Sequence, residues 1–278
     1  MRLINLRSLV LIAFCFLFFK DVHSSDFQKD SFHLFLLMGQ SNMAGYGTVL
    51  PEDKKPIEDV YMLRENVEMG RKYGWVEARQ PIHNRAKSDR FCLAGTFAKA
   101  YKELYPRVSV GLIPMAWGGA PIMKMSKGTP FYDQLLEKMR WAQEQGQLKA
   151  VLWHQGESDT VNPEDTKLYS ERLKKMIEDL RTDLNEPDLP FIIGDLAEFY
   201  GTSPEHSAPD RVVRIKEVRK TLRNMKNLLP RVGFVSSEGL RSHDEYQVHF
   251  DRASYILWGY RYLDEYWQIV NDNILLFR

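Results

Sequence analysis

Cysteine is nearly absent. The 278 residues hold only Cys15 and Cys92, and Cys15 falls in a leader-like segment, so the remaining thiol has no internal partner for a disulfide. The fold must therefore stand on burial alone, which a chain of about 250 residues can achieve without covalent staples. Charge of one sign is also lacking, with 38 Lys and Arg against 37 Asp and Glu. That balance excludes a bulk electrostatic attraction to nucleic acid or to an acidic membrane. Ser/Gly linkers, internal repeats and low-complexity blocks are missing too, which argues for one domain rather than an array or a tethered pair. Long apolar runs are confined to residues 9–19, a stretch too short to span a bilayer comfortably.

That run follows Arg2 and Arg7 and is followed by Val22, His23 and Ser24, where small residues stand near a cleavage point. The pattern predicts an export leader over residues 1–24 and a periplasmic or extracellular mature domain over 25–278 with no membrane span. A retained N-terminal anchor is the alternative. Without residues 1–24 the chain keeps 35 basic residues against 36 acidic ones.

Within the mature domain, short apolar runs at 33–38, 108–114, 150–154, 191–195 and 231–236 are each bounded by Gly, Pro or polar clusters. Their length suits strands buried on both faces. Helical periodicity fills the intervals at 91–105, 131–145, 163–184 and 211–227, and again at 252–267. The third helix has a defined start, with Asn162 as cap, Pro163 in the first helical position and Asp165 in the first turn. Alternation of this kind predicts a parallel sheet with helices on both faces, and ligands then bind beyond the carboxyl ends of the strands. The long segment 49–89 lacks strong periodicity and is expected to carry a short hairpin and part of the substrate wall.

Four polar clusters follow strands and should meet at that edge: Gly39-Gln40-Ser41-Asn42, Trp117-Gly118-Gly119, Gln155-Gly156-Glu157 and the residues after Asp195. Ser41 taken alone reads as a helix cap or as a nucleophile. A nucleophile requires a base, an orienting group for that base and donors for an oxyanion. His249, between Val248 and Phe250 and just before the last helix, is the candidate base or a packed core residue. Gly118 and Gly119 either form a simple turn or let backbone N–H groups approach a ligand. Gln155 offers an amide and Glu157 a carboxylate. His154 with Glu157, and His243 and Asp244 with His249, have metal-like spacing, but the helical or turn context of zinc motifs is missing.

Together, Gly39-Gln40-Ser41-Asn42-Met43, Gly118-Gly119-Ala120-Pro121-Ile122, His154-Gln155-Gly156-Glu157-Ser158-Asp159 and Val248-His249-Phe250-Asp251 resemble the sialate O-acetylesterase-type carbohydrate esterases. These include acetyl xylan esterases of carbohydrate esterase family 6, within the SGNH hydrolase superfamily. The resemblance extends from about residue 32 to 266. It implies an α/β/α sandwich around a five-stranded parallel sheet, and removal of acetyl groups from an oligo- or polysaccharide without metal or organic cofactor. By position, Ser41 is the nucleophile, His249 the base, and the oxyanion site draws on the Ser41 and Gly118 or Gly119 N–H groups and the Gln155 amide, with Gln40 beside them.

One position departs from the family pattern. Many relatives carry an aspartate three residues before the histidine, where this chain has Tyr246, and a phenol with pKa ~10 poorly replaces a carboxylate beside an imidazolium. Glu157 is the favoured substitute, with Asp244 as the alternative acid and Glu245 also within reach if the loop bulges. An esterase, lipase or thioesterase for other acyl groups, or an inactive sugar-binding protein on the same fold, are the competing functions. Trp75, Trp117 and Tyr46 are candidate platforms for a sugar ring. Which sugar is bound and which oligomer forms leave no mark in the sequence.

Overall fold

The computed structural model describes residues 21–22, 27–65, 72–83 and 90–275. The expected leader lies outside these residues except for 21–22. The strands are β1 (Asp21–Val22), β2 (Phe32–Gly39), β3 (Gly47–Thr48), β4 (Val60–Glu65), β5 (Tyr73–Glu77), β6 (Arg90–Phe91), β7 (Ser109–Ala116), β8 (Gln147–His154), β9 (Phe191–Gly194) and β10 (Val232–Val235). The helices are α1 (Ser41–Ala44), α2 (Leu93–Leu104), α3 (Pro130–Gln143), α4 (Pro163–Asp183), α5 (Pro209–Leu228) and α6 (Arg252–Leu275).

The apolar run of β2 is buried from Leu34 to Met38, as a strand covered on both faces requires. It lies between β7 and β8 and is parallel to both. The order β7-β2-β8-β9-β10 makes up the five parallel strands read from the apolar runs. The whole sheet is larger than expected, with eight strands in the order β1-β5-β4-β7-β2-β8-β9-β10. Segment 49–89 accounts for most of the excess. Its β4 joins β7 in parallel and turns back into β5 as an antiparallel partner, with Leu63 opposite Trp75. These strands mix buried with partly exposed residues rather than forming continuous apolar runs, so they lack the signal of the central strands. Trp75 is consequently a core residue and not a sugar platform.

Strand order reverses on either side of β2, and right-handed crossovers then place successive helices on opposite faces. α2 and α6 pack together in one layer, while α4 and α5 pack together in the other. α4 begins as anticipated, with Asn162 Oδ1 accepting the Glu164 N–H at 2.9 Å and Pro163 in the first turn. Among the described residues no helix is long and apolar enough to cross a membrane.

The strand ends set the site. Gly39 pairs with Ala116 on one side and His154 on the other, so β2, β7 and β8 finish level. Gly39 has φ +148°, and an added Cβ would stand 2.0 Å from the His154 carbonyl oxygen. Only glycine lets the chain turn here so close to its neighbour.

Candidate active site

Directly past Gly39 the chain turns into the single helical turn α1, with Ser41 at its first position and 7% exposed. Ser41 Oγ lies 3.1 Å from His249 Nε2, and His249 Nδ1 lies 3.2 Å from Asp244 Oδ2. With its proton on Nδ1, the imidazole donates to the carboxylate and accepts from the serine hydroxyl.

The carboxylate beside His249 is therefore Asp244, and the expectation that favoured Glu157 is corrected. The reason is local backbone geometry. Gln247 takes a left-handed φ of 54° and its N–H donates to the Asp244 carbonyl. The His243 N–H reaches the His249 carbonyl at 2.7 Å. The loop thus closes on itself and brings the residue five positions upstream onto the ring, while Tyr246 points outward and is 53% exposed.

Glu157 is buried behind the serine turn instead. Its Oε1 accepts from Asn42 Nδ2 at 2.7 Å and lies 3.3 Å from His154 Nε2. Burial pushes this carboxyl up, but hydrogen bonds from His154 and Asn42 outweigh it and hold the group below its ordinary value. The pair with metal-like spacing thus forms a buried side-chain contact, and among the described residues no group of three or more His, Cys, Asp or Glu could hold a metal ion.

Gln155 is also placed differently from expectation. Its amide nitrogen donates to the Ala120 carbonyl at 3.1 Å and to Asp159, and its Oε1 accepts from Tyr169 at 3.0 Å. Both amide hydrogens are engaged in the core, leaving none directed at an oxyanion. Gln40 Oε1 accepts weakly from the Gly156 and Ser158 N–H groups at 3.4 Å and ties the β2 and β8 turns together. Gly118 does approach Ser41, since a Cβ built on it would lie 4.0 Å from Ser41 Cβ. Gly119 follows with φ +70° and open space on its Cβ side. Among the described residues, the N–H groups of Ser41, Gly118 and Gly119 have no protein acceptor. Asp195 itself is paired with Arg219 on α5 at 2.7 Å, while the segment after it backs the site, with the Tyr200 hydroxyl donating to the Glu157 carbonyl at 3.2 Å and the Phe199 ring 5.2 Å from that of Phe250.

A cavity of about 340 Å³ opens over Ser41 and Gly118, lined among others by Tyr46, Arg64, Arg90 and Trp117. Leu63, Arg64 and Glu65 contribute to it from β4, so segment 49–89 supplies both the hairpin and the wall anticipated for it. Trp117, 37% exposed, has the Phe131 ring 6.0 Å away and Lys124 above it at 5.8 Å. Tyr46 is occupied otherwise than as a sugar platform. Its ring stacks on His249 with centroids 3.6 Å apart and planes 3° from parallel, and Arg90 covers its other face at 3.6 Å. No spacing rule points to Arg90, whereas Asn42 stands inside the serine motif and could have been singled out from its position.

Burial pushes the His249 pKa below 6.5, more strongly than the Asp244 carboxylate raises it. A base must be neutral, so kcat/KM against pH is expected to fall on the acid side with a midpoint below 6.5. Asp244→Asn removes a group that favours the imidazolium and should move that midpoint further down. A midpoint above 7 in the wild type would contradict this electrostatic picture.

Residues 31–268 match the family model described as carbohydrate esterase, sialic acid-specific acetylesterase. A probable carbohydrate esterase of Arabidopsis thaliana is 33% identical over 179 residues, which are 57% of this chain and 66% of that relative, just under two thirds of its length. The X-ray structure of an Arabidopsis thaliana protein superposes with TM-score 0.72 at 27% identity, covering 85% of this chain and 98% of that one. NanS shares the fold at TM-score 0.67 and 17% identity, over 88% of this chain and 99% of its own. With a match of this extent over the serine turn, the glycine turn and the histidine loop, the chain belongs to the sialic acid-specific acetylesterase family of carbohydrate esterases, which are carboxylic ester hydrolases.

Proposed function

We propose that this protein is a serine acetylesterase that removes O-acetyl groups from a carbohydrate through an acetyl-enzyme intermediate. Ser41 is the nucleophile, His249 the general base and Asp244 the group that orients it. The observation that carries this reading is the continuous line from Asp244 through both ring nitrogens of His249 to Ser41 Oγ, with contacts of 3.2 and 3.1 Å. The same line counts against an inactive sugar-binding protein, since Tyr246 has not removed the carboxylate.

In the reaction, His249 Nε2 takes the hydroxyl proton as Ser41 Oγ bonds to the acetyl carbonyl carbon. The oxyanion is met by the free N–H groups at Ser41 and at Gly118 or Gly119. The imidazolium returns its proton to the departing sugar oxygen. Water, activated by the same histidine, then attacks the acetyl-enzyme and releases acetate.

The substrate reading rests on the family description and on the cavity wall. Arg64, Arg90 and Lys138 line it, against Glu65 as its one carboxylate among the described residues. That balance suits an acidic acetylated sugar of the sialate type over neutral acetyl xylan. The N-terminal pattern supports export through a leader over residues 1–24, so that the enzyme meets its glycan in the periplasm or outside the cell.

The test is acetate release from 9-O-acetyl sialate, acetylated xylan and acetylated pectin, with p-nitrophenyl acetate and a long-chain p-nitrophenyl ester alongside. Sialate is expected to be the fastest sugar, and the acetyl ester to exceed the long-chain ester. A large preference for the long chain would favour a lipase or thioesterase and overturn the acetylesterase reading.

A further inference from the structure

Asp244 and His249 ride on the same loop, which is closed at its base by the bridge between Ser242 and Phe250 and by the Asp251 N–H on the Arg241 carbonyl at 3.0 Å. The aspartate can therefore set the ring within the loop, but it cannot fix where the loop sits relative to Ser41. That task falls to contacts between the loop and the serine turn.

Beside the Tyr46 ring stacked on His249, Asn42 supplies them. One residue beyond the nucleophile, its Nδ2 donates to the Val248 carbonyl at 3.0 Å, and its Oδ1 accepts the Phe250 N–H at 3.4 Å. These are the residues immediately before and after His249. The second Nδ2 hydrogen goes to Glu157 Oε1 at 2.7 Å, and Oδ1 also accepts from the buried Tyr255 hydroxyl at 2.9 Å. A carboxamide has two donors and two acceptor positions, and all four are used. The side chain is fully buried, so no water competes for these bonds, and its orientation is fixed from behind by Glu157 and Tyr255.

We propose that Asn42 is the positioning residue that holds the His249 loop in register with Ser41, and that Glu157 acts by anchoring Asn42 rather than on His249. The proposal rests on the reading of Ser41 as nucleophile and His249 as base. A shift of about 1 Å between two reacting groups can cost ~10² in rate, which sets the expected size of the effect.

The experiment measures kcat, KM and melting temperature of the full chain with p-nitrophenyl acetate. Asn42→Ala is expected to lower kcat ~10²-fold with KM within about threefold of wild type, since the cavity over Ser41 is untouched. Glu157→Gln keeps an oxygen for Asn42 Nδ2 and is expected to lose only about fivefold in kcat, with the acid limb of the pH profile moved down, because the Glu157 charge helps to raise the His249 pKa. A Glu157→Gln loss of ~10³ or more in kcat would mean that Glu157 acts on His249 directly. If Asn42→Ala does not fold, Tyr255→Phe carries the test: it deletes one bond to Asn42 Oδ1 and should lower kcat about fivefold at unchanged KM. Wild-type kcat in the folded Asn42→Ala, or in Tyr255→Phe where it stands in, overturns the positioning role. Ser41→Ala measured alongside separates the two levels: retained activity there overturns the reading of the site itself, whereas its loss with Asn42→Ala fully active overturns positioning alone.

Discussion

Ser41→Ala is expected to reduce acetate release ~10⁶-fold, the scale seen when the nucleophile of a serine hydrolase is removed. Ser41 Oγ is the side-chain partner of His249 Nε2, so the variant leaves the imidazole no side-chain nucleophile to activate. Stability should change little. The substitution deletes one hydrogen bond, worth about 1 kcal/mol, at a side chain whose recorded hydrogen-bond partner is His249. Acetate release from an acetylated sugar and a melting curve on the same preparation check both halves. Residual activity above about 1% of wild type, on a scale where loss of the nucleophile costs orders of magnitude, would exclude covalent catalysis at Ser41.

Asp244→Asn is expected to lower kcat ~10⁴-fold while leaving KM and the fold largely unchanged. The carboxylate does two things at Nδ1: it accepts that proton, which keeps Nε2 free to receive another, and it stabilises the imidazolium after transfer. An asparagine that turns its NH₂ toward the ring reverses the tautomer, placing the proton on the nitrogen that should accept from Ser41. Tyr246→Phe is the matched control. Tyr246 occupies the position where many relatives have their acid, yet its ring is exposed, so activity should stay within about twofold of wild type, as for most surface substitutions. If the tyrosine variant were the crippled one and the aspartate variant active, the assignment of the orienting carboxylate would fall.

How much of this was legible in the sequence depended on the physical kind of signal. The five parallel strands from β2 to β10 announced themselves because a strand covered on both faces must be continuously apolar, as residues 34–38 are. β4 and β5 were harder, since each mixes buried and partly exposed residues and the register of β4 is set by β7, a long-range contact that periodicity does not encode. Ser41, Gly118 and His249 were recoverable because each follows or precedes a recognisable element. Gln155 was in the right motif with the wrong employment: its partners Ala120, Asp159 and Tyr169 come from three other segments. The choice between Asp244 and Glu157 was not legible, because it turns on a single left-handed residue, Gln247. A counting rule based on three-residue spacing assumes a helical or extended path and misses a loop that doubles back. Tyr46 and Arg90 form their stack on His249 from segments with no motif of their own.

The contact between Ser41 and His249 spans 208 positions of sequence. Translation delivers Ser41 near the beginning of the domain and His249 near the end, after β10 has already emerged. In the proposed mechanism, a chain that stops before that loop holds a serine with no base beside it. Competence then arises when the loop carrying Asp244 and His249 folds back onto the serine turn. Fragments that end before this loop are therefore expected to carry the serine without its reactivity.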